Sequence, residues 1–339
     1  VEEGTVVTFA KVPARTGYVN QGWSSKKNSE KATAKAKCTV NKNITLYAVQ
    51  KKAVQLTFHR CDGSTWQKTT LAKGSSYSLP GVRDAEGYTF MGWSTKPMQS
   101  VSPQYEAEEK ITVNGNVDLY AVVFNRTTET DLTEDQLPQV DIYKYKQVIF
   151  VGDSRTEFME NVLTGMGESA TKNVKFVCSA GKGLDWFTTT GWAQLYSIVQ
   201  HDSNSILSKK TAVIFNFGVN DLSKSADYAE YYNWIAPQLK SKGCELYFMS
   251  VNPVNRLMLP NAGRADRSEA AVRSFNQYMK ANLSSAYTYI DMYSYLKSTG
   301  YSFASDHYGT GTVDDGLHYT TRTYKRIFAK CMDSLRVPA

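Results

Sequence analysis

Val148-Ile149-Phe150-Val151-Gly152-Asp153-Ser154-Arg155-Thr156 joins an unbroken apolar run to a glycine and a serine. Four consecutive apolar residues have the length of a strand, and a strand without polar alternation is one covered on both faces. The following residues place a serine hydroxyl in a tight turn at the start of a helix, where free backbone N–H groups favour negative charge.

The same rhythm continues downstream. Val174–Cys178, Ala212–Phe217, Glu245–Val251 and Tyr287–Asp291 are short apolar segments separated by helical stretches. Two of those stretches are well marked: Ser268–Leu283, capped by Ser268 with Ala271, Val272, Phe275 and Met279 at helical spacing, and Thr321–Leu335. Alternating strands and helices predict a parallel, flavodoxin-like sheet in a three-layer α/β/α sandwich from residue 146 to 339.

In such sheets the ligand site lies beyond the carboxyl ends of the strands, so the residues just after each strand carry the chemistry. After the second strand comes Ser179-Ala180-Gly181-Lys182-Gly183-Leu184-Asp185-Trp186, whose glycines let a backbone N–H approach a substrate. Gly218-Val219-Asn220-Asp221 follows the third strand, and the Asn220 amide is a candidate oxyanion donor. Taken alone, Asn220 and Asp221 read equally well as helix caps. In Asp315-Gly316-Leu317-His318 a three-residue separation lets the carboxylate reach the imidazole and hold the tautomer that leaves Nε2 as base. Position 156 is Thr, and no GxSxG occurs in the chain, which disfavours the α/β-hydrolase fold.

Residues 1–125 read differently. Gly17-Tyr18-Val19-Asn20-Gln21-Gly22-Trp23-Ser24 returns as Gly87-Tyr88-Thr89-Phe90-Met91-Gly92-Trp93-Ser94, and Thr45–Val49 returns as Asp118–Val122. Each copy opens on a β-type segment, Val6–Phe9 and Val54–Phe58, which predicts two small β-rich modules at 1–51 and 52–125. A tryptophan recurring at one repeat position reads as core before it reads as a sugar platform. The polar stretch 126–145 is expected to link or wrap the cores.

Composition sets the frame. With 42% hydrophobic and 21% charged residues the chain can bury sizeable cores, and 339 residues suggest two or three domains. The net charge of +7 is concentrated at the N-terminal end, where residues 1–125 hold 16 Lys and Arg against 10 Asp and Glu; the remainder holds 23 against 22. No nucleic-acid-binding pattern accompanies the basic residues, so nucleic acid is not an expected partner. No apolar stretch is long enough to span a membrane. The chain opens on Val1-Glu2-Glu3, so an export signal is expected to have been removed or never included.

Five scattered cysteines without CxxC spacing argue against a disulfide framework and a zinc site, and read as buried free thiols. Asp306, His307, Asp314, Asp315 and His318 lack metal-site spacing, and His59 and His201 stand apart from the motifs, so no metal or cofactor is expected.

The order of GDS after strand one, a glycine turn after strand two, GxND after strand three and DxxH before the last helix resembles the SGNH/GDSL hydrolases, over roughly residues 146–335. That resemblance implies a serine esterase with Ser154 as nucleophile, Asp315 and His318 completing the triad, and an oxyanion hole from Ser154, Asn220 and either Gly181 or Gly183, the latter favoured. Arg155 stands where many relatives carry an apolar residue. Its guanidinium is expected either to bind an anionic group of the substrate, with Trp186 nearby, or to pair with a structural acid. The repeats resemble internalin-type B-repeats, β-grasp-like modules of bacterial surface proteins, which implies an extracellular or cell-surface setting. The expected substrate is an acylated carbohydrate or small ester, with a cell-wall or host glycan met through the repeats. The competing expectations are a surface adhesin with a non-catalytic SGNH domain and an O-acyltransferase.

Overall fold

A computed structural model describes residues 1–141, 144–201, 210–308 and 311–335, with side chains omitted at 200, 201, 305–308 and 311–313. The chain forms two compact units. One comprises Val1–Leu79, Trp93–Met98 and Glu109–Ala121; the other comprises Pro80–Gly92, Gln99–Glu108 and Val122 onward.

The N-terminal third contributes β1 (Val6–Thr8), β2 (Tyr18–Ser24), β3 (Lys37–Thr39), β4 (Tyr47–His59), β5 (Thr65–Ala72), β6 (Ser75–Ser78), β7 (Tyr88–Ser94), β8 (Lys110–Val113) and β9 (Val117–Asn125). Its main sheet runs β2-β4-β9-β7, with β5 added to β4, and two-stranded pairs β1-β3 and β6-β8 complete it. The sequence predicts separate strands at Thr45–Val49 and Val54–Phe58. The structure instead has one strand, β4, whose first half pairs with β2 and whose second half pairs with β5. Nothing between Val49 and Val54 interrupts the ladder, because Gln50-Lys51-Lys52-Ala53 contains neither glycine nor proline.

The second unit is built on β10 (Tyr145–Gly152), β11 (Val174–Cys178), β12 (Lys210–Asn216), β13 (Cys244–Met249) and β14 (Tyr287–Ile290), all parallel, in the order β11-β10-β12-β13-β14. Around them lie α1 (Ser154–Met166), α2 (Leu184–Trp186), α3 (Trp192–His201), α4 (Ser225–Ser241), α5 (Glu269–Asn282), α6 (Met292–Thr299) and α7 (Thr321–Ser334), with a hairpin of β15 (Phe303–Tyr308) and β16 (Gly311–Tyr319) before α7.

Pleating divides each strand between two cores. Val148 and Phe150 of β10 pack with Met159, Leu163, Ile327 and Phe328 of α1 and α7. Ile149 and Val151 face the opposite way and pack with Leu195, Tyr232, Leu239 and Phe275 of α3, α4 and α5. This explains the unbroken apolar runs, since both sides of the sheet are covered. The segment before β10 belongs to the first of these cores: Leu137 and Val140 are buried in it, and the buried Glu129 pairs with Arg326 of α7 at 2.9 Å.

None of the five cysteines is joined in a disulfide. Cys244 and Cys331 are buried as expected; Cys61 is exposed, because it lies in the turn between β4 and β5.

Candidate active site

The strand order reverses direction around β10, which lies between β11 and β12, so a crevice is expected beyond its carboxyl end. The register makes this concrete: Gly152 is level with Cys178 on one side and Asn216 on the other. The three segments that follow, carrying Ser154 at the start of α1, Gly181 and Gly183, and Asn220, therefore leave the sheet along one edge.

Asp153 caps α1 by accepting from the Arg155 amide at 3.0 Å, which makes Ser154 the first residue of the helix. Burial pushes the Asp153 carboxyl up to about 6, against the opposing pull of the Arg155 guanidinium. Ser154 Oγ lies 2.9 Å from His318 Nε2, and His318 Nδ1 lies 2.6 Å from Asp315 Oδ2. All three residues are buried.

Asp315 Oδ1 also accepts from the amides of Leu317 and His318, each at 2.8 Å. Burial alone would raise this carboxyl. The hydrogen bond and charge of His318 and the two amides outweigh it and hold Asp315 below the usual carboxylate range. An ionised Asp315 can only accept, so Nδ1 carries the ring proton and Nε2 is left to accept from the serine hydroxyl. Phe158, one helical turn beyond Ser154, meets the imidazole edge-on with ring centroids 4.5 Å apart.

The close Asp315–His318 approach depends on Gly316 between them. Its φ is +64°, and a Cβ there would lie 2.5 Å from the Asn255 carbonyl oxygen. The pair sits in β16, directly before α7.

Two contacts tie the loops after β11 and β12 together. Asn220 Nδ2 donates to the Lys182 carbonyl at 2.8 Å, and Asp221 accepts from the Leu184 amide at 2.9 Å and from the Tyr228 hydroxyl at 2.7 Å. Asp221 stands at the N-cap position of the short turn Leu222–Lys224, but its side chain makes no capping bond there and serves as a brace. It also explains Gly183: a Cβ at that position would meet the Asp221 carboxylate at 2.3 Å. Gly181 lies two residues earlier, in an exposed turn.

Arg155 requires a correction. Its expected roles were contact with an anionic substrate or pairing with an acid, yet it is only 2% exposed and donates to three backbone carbonyls. Nε reaches Leu317 at 3.0 Å, Nη1 reaches Asn252 at 2.9 Å and Nη2 reaches Pro253 at 2.8 Å, with the Tyr319 ring beneath the guanidinium. A guanidinium so buried and so committed fastens β16 beside His318 to the loop after β13, and its burial keeps it from a ligand. Trp186 is half-buried, and its ring packs towards Phe217 with centroids 6.0 Å apart, a placement that core packing accounts for.

Sequence reasoning passed over Arg267, whose Nη2 donates to Asn220 Oδ1 at 2.7 Å. A lone arginine in a loop carries no pattern that could have marked it. Phe158 was legible in principle, being four residues from Ser154 on one helix face. His59 bonds Asp118 at 2.8 Å, away from these residues in the chain. The side chains of His201, Asp306 and His307 lie outside the described residues. Among the described residues, no group of three His, Cys, Asp or Glu is arranged to hold a metal.

The Listeria-Bacteroides repeat domain matches residues 1–49 and 55–122. Among solved structures, a Bacteroides fragilis NCTC 9343 protein assigned as an acylhydrolase is 16% identical, with TM-score 0.39, over 59% of this chain and 92% of its own. A Slackia heliotrinireducens protein assigned as an SGNH hydrolase is 12% identical, with TM-score 0.39, over 57% and 100%. The acetyl xylan esterase AlAXEase is 11% identical, with TM-score 0.37, over 56% and 100%. No curated protein matches the chain. The GDSL-like lipase/acylhydrolase model matches residues 148–331, more than half of the sequence and the whole stretch from β10 into α7, and the chain belongs to that family.

Proposed function

We propose that this protein is a serine-dependent ester hydrolase that removes acetyl or other short acyl groups from a carbohydrate or cell-wall polymer. The observation that carries the reading is the hydrogen-bonded series from Ser154 through His318 to Asp315. Ser154 attacks the ester carbonyl while His318 Nε2 takes its proton, and the same nitrogen returns a proton to the departing alcohol. Water then repeats the sequence on the acyl-enzyme. Asp315 stabilises the imidazolium formed in each step. The tetrahedral oxyanion is held by the Ser154 amide at the start of α1, the Gly183 or Gly181 amide and the Asn220 side chain.

The carbohydrate part of the proposal rests on the company the domain keeps, since repeats of this kind suit an extracellular or surface setting where acylated polymers occur. The acyltransferase alternative drew on Arg155 alone, and a buried guanidinium spent on three carbonyls removes that support.

The test is turnover of p-nitrophenyl acetate and release of acetate from acetylated glycans. Ser154→Ala should lower kcat by about 10⁴–10⁶-fold without loss of folding. Full activity in that variant overturns the assignment of the nucleophile. Activity on the small ester without release from any acetylated glycan overturns the substrate class alone.

A further inference from the structure

Asn220 can serve an oxyanion only if its amide nitrogen, and not its oxygen, faces the reacting carbonyl. Two neighbours decide the matter independently. The guanidinium of Arg267 only donates, so the amide atom 2.7 Å from its Nη2 is oxygen. The Lys182 carbonyl only accepts, so the amide atom 2.8 Å from it is nitrogen. Lys182 takes one amide hydrogen and leaves the other.

Arg267 is itself held in place. Its Nε donates to the Val219 carbonyl at 2.7 Å and its Nη1 to the Ala265 carbonyl at 2.8 Å. It lies one residue before Ser268, which caps α5, so its backbone is anchored where a regular element begins. The three donors converge from one rigid fork on the residue before Asn220, on Asn220 itself and on its own loop.

We propose that Arg267 is a positioning residue that fixes the Asn220 amide in the orientation an oxyanion requires. This rests on the reading of Asn220 as an oxyanion donor. Two physical effects follow from the contact. The amide loses the freedom to flip, which would turn its oxygen towards a developing negative charge and replace attraction by repulsion. The cation on Oδ1 also polarises the amide and strengthens its remaining N–H as a donor. Both effects are in place before substrate arrives, the condition under which fixed dipoles accelerate a reaction.

A purely structural staple between residues 219 and 265 would use the same three hydrogen bonds, so the experiment must separate the two roles. Steady-state hydrolysis of p-nitrophenyl acetate is measured for the full chain and for Arg267→Gln, Arg267→Lys, Asn220→Ala and the double variant Asn220→Ala/Arg267→Gln, each checked for folding by thermal melting. Asn220→Ala should lower kcat by about 10²–10³-fold. Arg267→Gln should lower kcat by roughly 10- to 100-fold with little change in KM, and Arg267→Lys, which keeps a charged donor, should recover part of the loss. In the Asn220→Ala background, Arg267→Gln should cost nothing further.

Equal losses from Arg267→Gln in both backgrounds would make it a staple and overturn the proposal, as would an unchanged kcat in the single variant. An unchanged kcat in Asn220→Ala would overturn the oxyanion reading and this proposal with it.

Discussion

The repeats and the parallel-sheet domain both place a serine two residues after a glycine, and they use it for opposite purposes. In the repeats Ser24 and Ser94 are buried, and each hydroxyl accepts from the amide two residues ahead, Lys26 at 3.1 Å and Lys96 at 3.0 Å. The bond serves the turn that carries it. Ser154 instead presents its hydroxyl to His318, 164 residues away in sequence. A motif that closes on itself shapes the backbone, whereas one that reaches across the chain assembles chemistry. Substitutions should therefore move stability in the first region and rate in the second.

The largest effect expected from this contrast is at Asp315. Replacement by Asn keeps the shape, but its amide can present a donor to Nδ1 and so favour the tautomer in which Nε2 cannot accept from Ser154. We expect kcat to fall on the order of 10⁴-fold with only a modest drop in melting temperature, from loss of the ionised carboxylate that the fold favours. A variant that loses stability in proportion to activity would erase the distinction between the two regions.

The next largest effect belongs to Trp93. It is fully buried, with Phe58 and Trp66 at centroid distances of 4.8 and 5.8 Å. Trp93→Ala should cost about 3–5 kcal/mol, read as a lowered denaturant midpoint, while folded molecules keep the wild-type kcat. A fall in kcat measured on folded protein would show the separation between stability and rate to be false.

What the sequence disclosed follows the same line between local and distant. The strands of the parallel sheet were legible because burial on both faces leaves an unbroken apolar run, and the candidate residues Ser154, Asn220, Asp315 and His318 stood out because each sits in a short motif beside a strand or helix. The fate of Arg155 was not legible, since carbonyls at residues 252, 253 and 317 leave no mark on residue types. Arg267 was hidden for the same reason. Leu137 and Val140 were obscured differently: each is a single apolar residue in polar surroundings, and only the fold shows that both enter the core against α1 and α7. Continuity of β4 was missed because a repeat boundary in sequence suggested a break that the backbone does not make.

The smallest effect is also the sharpest test of the repeat comparison. Trp23 occupies the position of Trp93, follows a glycine of positive φ as Trp93 does, and is flanked by the same buried serine. Yet it is only half-buried, and its indole nitrogen donates to the Ala10 carbonyl at 2.6 Å. The surroundings differ: Trp93 lies against the rings of Phe58 and Trp66, whereas beside Trp23 the polar Asn20 spends its amide on the Val12 carbonyl at 2.7 Å. The shared glycine and serine set the backbone, and the apolar neighbours decide how deeply the ring sinks. Trp23→Ala should then cost about 1 kcal/mol, most of it the indole hydrogen bond and a partial loss of packing, against several times that for Trp93→Ala under the same denaturant titration. Equal costs at the two positions would mean that the motif, and not its surroundings, governs burial.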